Sequence, residues 1–348
     1  MDIQQFEGRK QDHLRHALNP DHQATGLSGF SRIHLHHEAI PDLNFEDIDL
    51  ATACFGARTK TPFYVAGMTA GHSNANAINR ILALACDQRG WAMGVGSQRR
   101  DLEAKQVDRW HRIRDEAPDL VLFANLGISQ LDQTASSELM RLVTNLDAKA
   151  LVVHTNPLQE VLQPEGTPQF SGSLEALRRV CRDFKSEGIP VALKETGCGF
   201  SKTTLKRLAP LGLAAIDISG LGGTHWGRIE GTRAAKTAGK QHLAAAASTF
   251  ANWGESTVDS LLAAKEVLTE KVEIWGSGGV RSGLDGAKLI ALGARRVGYA
   301  QPALEAALAG SKPLLRWMEL QEYELRVALF CTGCKTPSHL RKKEESWK

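Results

Sequence analysis

The sequence lacks the long apolar runs that mark a membrane protein. Its 348 residues contain no apolar stretch of about 18 residues, the length at which a helix can cross a bilayer. The N-terminal residues from Met1 to Gln5 are mostly polar, so we expect no signal peptide. The net charge of +3 is too small to indicate a nucleic-acid partner.

Cysteine is also sparse and scattered. Of the six cysteines, only Cys331 and Cys334 have C-x-x-C spacing, and no second pair accompanies them. A zinc site or a thiol–disulfide exchange site is therefore not favoured. Scattered thiols are typical of proteins in a reducing compartment, so we expect a cytoplasmic protein.

Short apolar runs alternate with helical patterns from residue 62 onward. The runs are apolar throughout, as expected for parallel strands that are covered on both faces. Eight such runs predict an α/β protein with a (β/α)8 TIM barrel. A doubly wound open sheet is the alternative, but no G-x-G-x-x-G motif follows the first run. The predicted strands are 62–68, 91–95, 121–125, 150–154, 191–195, 214–219, 272–276 and 296–300, and the predicted helices are 76–89, 130–146, 173–187, 202–211, 257–268 and 284–292.

The barrel pattern divides the chain into three parts. Residues 61–312 are predicted to form the barrel, residues 1–60 an N-terminal extension that packs on it, and residues 313–348 a C-terminal helix and tail. Within the extension, residues 33–39 alternate in polarity like an edge strand. The gap between the sixth and seventh strands, residues 220–253, is long, and we expect a functional loop there.

The stretch from Ile274 to Gln301 has a glycine-rich turn between a strand and a helix. Gly276, Gly278 and Gly279 follow a short apolar run and precede a helical pattern. Glycines let backbone N–H groups approach a phosphate, and a helix N-terminus favours an anion. The loops after the last two strands of a barrel commonly hold a phosphate in this way. A plain tight turn is the alternative.

Polar side chains follow the predicted strands at their carboxyl ends, where the active site of a barrel lies. Because burying unpaired polar groups is costly, some of them must face a ligand or water. Lys194, at the end of the fifth strand, is suited to stabilise an anionic ring or an oxyanion, with an ion pair to Glu195 or another carboxylate as the alternative. Glu160 is suited to bind a Mg²⁺ that bridges a diphosphate, although a lone glutamate is more often solvated.

Several basic residues are natural clamps for an anion. Arg9, Lys10 and Arg99 carry the charge that binds phosphate groups, and surface solubility is the alternative for each. His154 ends the fourth strand, where it either holds a phosphate oxygen or caps the strand. These residues are spread from the N-terminus to the middle of the barrel, so only the fold can bring them together.

Two alternative chemistries on the same fold each depend on one residue. An FMN-dependent hydroxy-acid oxidase needs a histidine base beside the flavin, and His225 is the only late candidate. A dehydrogenase of the inosine-phosphate type needs a reactive cysteine. Cys198 lies on a glycine-rich loop, but nothing beside it would clearly lower the pKa of its thiol. The pattern of residues leaves these alternatives open.

Taken in order, these stretches resemble the type 2 isopentenyl-diphosphate isomerases, which are FMN-dependent TIM-barrel enzymes. The likeness runs from about Arg9 to about Gly310, and its most specific stretch is residues 154–160 with residues 164–166. Further matching stretches are residues 66–69, 96–99, 124–127, 191–195, 217–220, 222–224, 253–254 and 277–281. The sequence departs from the family pattern at Ala70 and Thr167, where glycine and aspartate are usual, and at the large His225.

The resemblance implies an isomerase of isoprene biosynthesis that interconverts isopentenyl diphosphate and dimethylallyl diphosphate. Reduced FMN would act as acid and base, Mg²⁺ would bind the diphosphate, and NADPH or NADH would only reduce the flavin. An FMN-dependent oxidoreductase that acts on a small phosphorylated or hydroxy-acid substrate is the alternative. Because barrels of this kind often associate, we expect a homo-oligomer, a tetramer or octamer, with no nucleic-acid or membrane partner.

The resemblance also implies roles for individual residues. Gln159 and Lys194 would be catalytic, and a neutral amide such as that of Gln159 is a poor base, which favours the flavin as the proton carrier. The flavin would be held by Met68, Thr69, Ser97, Asn125, Lys194, Ser219, Thr224, Gly278, Gly279, Arg281, Ala300 and Gln301. The substrate would be bound by Arg9, Lys10, His13, Arg99, His154, Asn156 and Gln159, and the Mg²⁺ by Glu160.

Overall fold

Eight parallel strands close into a barrel in the computed structural model, which describes residues 12–68, 75–104 and 113–348. The last strand pairs with the first through Val297 and Phe63, so the sheet has no free edge. The predicted TIM barrel is therefore confirmed. The barrel strands are β3 (Phe63–Val65), β4 (Ala92–Gly94), β5 (Leu122–Gly127), β6 (Ala150–His154), β7 (Val191–Lys194), β8 (Ala215–Asp217), β9 (Glu273–Gly276) and β10 (Arg296–Tyr299), and they follow the hairpin strands β1 (Thr52–Cys54) and β2 (Ala57–Thr59).

Helices connect the barrel strands and cover the outside of the sheet. Every residue of β3, β4 and β5 is buried, because side chains on one face fill the barrel and those on the other pack under the helices. The helices are α1 (Ala75–Arg89), α2 (Arg99–Ala104), α3 (Ser136–Asn145), α4 (Pro157–Leu162), α5 (Ser173–Ser186), α6 (Lys202–Leu208), α7 (Trp226–Ala235), α8 (Gln241–Thr249), α9 (Thr257–Val267), α10 (Gly283–Leu292), α11 (Gln301–Leu308), α12 (Ser311–Cys331) and α13 (Pro337–Lys342). Residues 12–17 and 113–116 are also helical.

The prediction of a functional loop at residues 220–253 is wrong for most of that length, because the segment contains the two helices α7 and α8. Glycine and alanine bring these two helices into close contact. A Cβ atom added to Gly231 on α7 would lie 2.5 Å from the Cβ of Ala247 on α8. Small residues on both helices therefore allow their backbones to approach closely.

The predicted edge strand at residues 33–39 is also wrong as a strand. The segment is extended, but its β-pairing consists of one isolated antiparallel bridge between Leu35 and Trp347. His34 and Lys348 exchange two backbone hydrogen bonds of 2.9 and 3.0 Å, so the last residues of the chain pair with the N-terminal extension. The three-part division at residues 1–60, 61–312 and 313–348 stays a prediction.

The hairpin β1–β2 closes the amino-terminal end of the barrel. Phe55 at its turn contacts Phe123 and Trp275 inside the barrel, with ring centroids 5.9 and 5.4 Å apart. Arg296, with 0% of its surface exposed, donates a hydrogen bond to the carbonyl oxygen of Ala53 in the hairpin. With this end filled, the carboxyl ends of the strands are left for a site. None of the described helices is long and apolar enough to cross a membrane.

Replacing Phe184 by alanine should lower the free energy of unfolding by about 3–5 kcal/mol, because the close-packed core cannot fill the resulting cavity. Phe184 lies on α5 with 0% of its surface exposed. Urea unfolding followed by circular dichroism measures the change. The matched control is Phe250→Ala, since Phe250 is 37% exposed and should lose less than about 1 kcal/mol. Equal losses in the two variants would contradict the packing.

Candidate functional site

A cavity of about 250 Å³ opens at the carboxyl ends of the barrel strands. It is lined by every predicted site residue that lies within the described part of the chain, drawn from all eight strand ends and the N-terminal extension. These residues are His13, Met68, Ser97, Arg99, Asn125, His154, Asn156, Gln159, Glu160, Lys194, Ser219, Thr224, Gly278, Gly279, Arg281, Ala300 and Gln301. Arg9, Lys10 and Thr69 lie outside the described residues, as does the departure at Ala70.

Two glycine-rich loops form one wall of the cavity by direct backbone contact. The loop after β8 carries Gly223, and the loop after β9 carries Gly278 and Gly279. A Cβ atom on Gly278 would lie 2.2 Å from the carbonyl oxygen of Gly220, and one on Gly279 would lie 2.6 Å from that of Gly222. Gly278 and Gly279 also have φ angles of 99° and 74°, which side chains rarely adopt. The plain-turn alternative therefore accounts for part of the glycine content.

The same loops present unpaired backbone donors to the cavity. Within the part of the chain that the structure describes, nothing accepts a hydrogen bond from the N–H groups of Gly223, Gly278 or Gly279. The N-terminus of α11, at Gln301, lies at the same wall. Unpaired N–H groups beside a helix N-terminus are suited to bind a phosphate. This wall therefore fits the phosphate of FMN.

Arg281 joins the glycine loops to α11 and to the N-terminal extension. Its guanidinium donates to the side-chain oxygen of Gln301 and, over 2.7 Å, to that of Gln23. Gln23 also donates to the hydroxyl of Thr224 over 3.2 Å and to the carbonyl oxygen of Ala17 over 2.8 Å. Gln23 was missed by the sequence interpretation because it lies in a segment without periodicity. The hydrogen bond to Gln23 fixes the guanidinium of Arg281, which would face a phosphate.

The polar groups after β4, β5 and β6 are connected by hydrogen bonds. The side-chain amide of Asn125 donates to the carbonyl oxygen of Val95 over 2.9 Å, and its oxygen lies 2.8 Å from Nδ1 of His154. Because Asn125 presents an oxygen there, His154 donates from Nδ1, and its ring lines the cavity. Asn125 therefore orients His154 in addition to any contact with a flavin.

Lys194 is 8% exposed and does not form the ion pair with Glu195 that was its alternative role. Its Nζ donates to the backbone oxygen of Glu195 over 2.7 Å. The carboxylate of Glu195 turns away and accepts from the four N–H groups of residues 196–199 over 2.5–3.2 Å. Burial raises the pKa of Glu195 to about 7, while these donors and Lys194 lower it. Glu195 thus fixes the loop, and Lys194 lines the cavity.

Ser219 lies after β8 in a left-handed conformation with φ 40°, which is uncommon for a residue other than glycine. Its side chain is 9% exposed and lines the cavity. Strained backbone of this kind is concentrated at ligand sites, where the surrounding structure enforces it. The predicted flavin-binding position thus has a backbone feature that the sequence did not reveal.

Glu230 on α7 is a site residue that the sequence interpretation missed. Its carboxylate is fully buried, lies 2.7 Å from Nε2 of His13 and accepts from Arg233 over 2.6 Å. It also accepts from the amide of Gln159 over 3.2 Å. Burial raises the pKa of Glu230, but His13 and Arg233 outweigh this effect and the pKa lies below its ordinary value. Glu230 lay in the region taken for a loop, so no helical spacing pointed to it.

Glu160 on α4 is held by its neighbours with both oxygens engaged. One oxygen accepts from the amide of Asn156 over 3.1 Å, and the other accepts from the N–H of Thr167 over 2.8 Å. Thr167, a departure from the family pattern, thus orients Glu160 through its backbone. The described residues contain no cluster of three or more potential metal ligands. One carboxylate fits Mg²⁺, which is usually bound by one or two carboxylates, substrate phosphates and water.

His225 and Cys198, on which the alternative chemistries depend, are poorly placed. His225 is fully buried and caps the N-terminus of α7. Its Nε2 lies 3.2 Å from the backbone oxygen of Trp253. Burial lowers the pKa of His225. Burial and Glu195 raise the pKa of the Cys198 thiol far above its ordinary value. Neither side chain lines the cavity within the described residues.

Curated relatives with one shared name match nearly the whole chain. A protein named isopentenyl-diphosphate delta-isomerase from Legionella pneumophila is 51% identical over 97% of both chains. Proteins of the same name from Bdellovibrio bacteriovorus and Nostoc sp. are 47% and 38% identical, over 98% and 95% of this chain and 97% and 93% of the relatives. A sequence-family profile described as FMN-dependent dehydrogenase matches residues 190–346.

Solved structures with the same fold are flavoproteins of low sequence identity. A mandelate oxidase superposes with a TM-score of 0.63 at 18% identity, covering 98% of this chain and 94% of the oxidase. The flavin-binding domain of Baker's yeast flavocytochrome b2 superposes with a TM-score of 0.70 at 16% identity, covering 99% of this chain and 85% of that one. At such identities, these likenesses establish the fold alone.

Replacing Gly279 by alanine should weaken FMN binding about tenfold or more, because the Cβ atom would push the two glycine loops apart. The matched control is Gly212→Ala, since Gly212 has a similar φ of 77° and nothing within 4 Å of an added Cβ. Both variants carry the same backbone strain, so their difference isolates the contact with Gly222. Fluorescence titration with FMN measures the affinity. Equal affinities in the two variants would contradict the phosphate cradle.

Proposed function

The chain belongs to the isopentenyl-diphosphate delta-isomerase family, and we propose that it interconverts isopentenyl diphosphate and dimethylallyl diphosphate with reduced FMN and Mg²⁺. The observation that carries this proposal is the presence of two anion-binding walls on one cavity. The two glycine loops follow β8 and β9, whereas His154 to Glu160 lie at the end of β6, which β7 separates from β8 in the barrel. One wall suits the phosphate of FMN, and the other suits a diphosphate.

FMN would lie with its phosphate on Gly223, Gly278 and Gly279, and with its ring toward Lys194. Arg281 would add a cation at the phosphate. Met68, Ser97, Asn125, Ser219, Thr224, Ala300 and Gln301 would complete the binding site, together with Thr69. When bound in reduced form, FMN would supply the proton transfer at the allylic carbons, and the buried Lys194 would offset negative charge on the ring.

The diphosphate would be bound by Arg99, His154, Asn156 and His13, with Mg²⁺ on Glu160. Asn125 orients the imidazole of His154, which lines the cavity at this wall. Asn156 donates to both Gln159 and Glu160, so the diphosphate wall forms one hydrogen-bonded unit. Arg9 and Lys10 stay predictions as further diphosphate ligands.

Gln159 would position the reacting carbons instead of exchanging protons. A carboxylate can only accept hydrogen bonds, so Glu230 requires the NH₂ group of Gln159 to point toward it. The oxygen of Gln159 then accepts from Asn156 over 3.0 Å. With both ends of the amide fixed, Gln159 is a rigid polar surface beside the substrate, and a neutral amide is a poor base.

An FMN-dependent oxidoreductase is the second candidate, favoured by the description of the matching family profile. That chemistry needs a base beside the flavin. His225 is fully buried as a helix cap, which argues against the role. Flavin reduction by NADPH or NADH, assembly as a tetramer or octamer, and a cytoplasmic location stay predictions.

The proposed function predicts that dimethylallyl diphosphate forms from isopentenyl diphosphate only when the bound FMN is reduced and Mg²⁺ is present. Because the reaction is an isomerisation, NADPH should be consumed once to reduce the flavin and not with each turnover. Anaerobic product analysis alongside NADPH absorbance measures both quantities. Stoichiometric loss of NADPH without isomerised product would favour the oxidoreductase.

A variant at His225 provides the control for this assay. Asparagine is a good helix N-cap, so His225→Asn should preserve α7 while removing the imidazole. The isomerase proposal expects turnover close to that of the unmodified enzyme. Complete loss of turnover in a folded His225→Asn variant would assign the histidine a chemical role and reopen the oxidoreductase alternative.

Glu160→Gln should raise the Mg²⁺ concentration needed for half-maximal activity by about tenfold or more, because it removes the charged ligand and keeps the shape. Activity measured over a series of Mg²⁺ concentrations tests this. The matched control is Glu187→Gln, which changes an exposed carboxylate outside the cavity and should leave the Mg²⁺ dependence unchanged. An unchanged Mg²⁺ dependence in Glu160→Gln would remove Glu160 as the metal ligand.

A further inference from the structure

A buried carboxylate lies beside Lys194 inside the barrel and has no role in the site described so far. Asp217 ends β8 and is 1% exposed. It is the register partner of Lys194 on the neighbouring strand β7, and register partners on adjacent parallel strands point to the same face. Both side chains line a second, smaller cavity of about 10 Å³ in the barrel interior.

Two hydroxyl groups hold the carboxylate of Asp217. Tyr64 on β3 donates to one oxygen over 2.5 Å, and Ser277 after β9 donates to the other over 2.7 Å. Tyr64 is 3% exposed and Ser277 is 5% exposed, so these bonds are shielded from water. Three strands of the barrel therefore converge on one carboxylate. Such a network is costly to bury unless its members are satisfied.

Charge is the second feature that links Asp217 to Lys194. Burial lowers the pKa of Lys194, and Asp217 opposes this effect more strongly than Glu195 does. Burial raises the pKa of Asp217, and Lys194 is the largest opposing influence. Each group thus favours the charged form of the other. The carboxylate of Glu195 is engaged by four backbone N–H groups, which leaves Asp217 as the counter-charge on the barrel side of Lys194.

We propose that Asp217 is a positioning residue that acts as the buried counter-ion of Lys194 and keeps it protonated at the floor of the cavity. Tyr64 and Ser277 hold the carboxylate in place. This inference rests on the proposed binding of FMN, because the protonated lysine serves to favour the anionic, reduced form of the ring. Asp217 acts on the flavin through Lys194, and a purely structural bond between strands would not affect flavin affinity in this way.

Other ionisable groups also face this region, and the experiment must separate them. His154 is the register partner of Lys194 on β6, and Glu195 follows Lys194 on β7. Arg296 on β10 acts on Tyr64 from the amino-terminal end of the barrel. All of these groups are retained when only Asp217 is changed. The flavin affinity of the variant is therefore compared with that of the unmodified enzyme at each pH, where these groups are present in both proteins.

The test is the ratio of the dissociation constants of reduced and oxidised FMN, measured anaerobically from about pH 6 to about pH 9. In Asp217→Asn, Lys194 loses its counter-charge and deprotonates at a lower pH than in the unmodified enzyme. Relative to that enzyme, the variant should therefore lose about tenfold or more of its preference for reduced FMN as the pH rises across this range. A constant offset at every pH would reflect only the removed charge and would overturn the proposal.

Further variants keep the result interpretable. Tyr64→Phe removes one hydroxyl group with little change of volume. It should lower the preference for reduced FMN, as Asp217→Asn does, but by a smaller amount. Asp183→Asn, outside the cavity on α5, should leave the ratio unchanged. When Asp217→Asn is added to a Lys194→Gln variant, it should cause no further pH-dependent change in the ratio of the two dissociation constants.

The outcomes distinguish this inference from the proposed function. If Asp217 is already protonated in the unmodified enzyme, asparagine is nearly equivalent to it and the ratio will not change at any pH, which overturns the inference alone. If the unmodified enzyme binds no FMN in either redox state, the proposed function itself fails. FMN binding with a pH-dependent loss in Asp217→Asn that requires Lys194 supports both.

Discussion

The contact between the two glycine loops is the constraint on which the cavity depends. Gly220 and Gly222 contact Gly278 and Gly279 very closely. A Cβ atom on Gly278 or Gly279 would clash with the backbone of Gly220 or Gly222. The contact brings the ends of β8 and β9 together and places Gly223, Gly278 and Gly279 at the cavity wall. The anion-binding character of this wall is therefore a result of backbone packing, and side chains contribute mainly at Arg281.

The N-terminal extension completes the cavity from outside the barrel. Gln23 contacts Thr224 and Arg281, and His13 contacts Glu230, so the extension supports both anion-binding walls. Glu230 of α7 is fully buried, lies 2.7 Å from Nε2 of His13 and accepts from Arg233. Inside the barrel, Lys194 and Asp217 are enclosed and screened little by water.

The barrel itself could be predicted from the sequence with good accuracy, and the errors have physical causes. The strand at Ala150–His154 was predicted at its observed bounds, because a fully apolar run between polar turns has few other structures available. The helices within residues 220–253 were missed because the long gap between two strands was interpreted as a loop, whereas Gly231 and Ala247 pack two helices closely there. Residues 33–39 have the alternation of a strand, but their partner is only a short C-terminal segment.

By itself, the sequence determined the barrel and the residues at its strand ends, because hydrophobic periodicity and strand order place those residues at one end of the sheet. The resemblance added the expected roles. Tertiary structure alone decided which groups are paired. Gln23 reaches Arg281, Glu230 fixes Gln159, and Asp217 lies beside Lys194, although these partners are between 23 and 258 residues apart in the chain. Such pairings depend on burial and direction in three dimensions, which local periodicity does not encode.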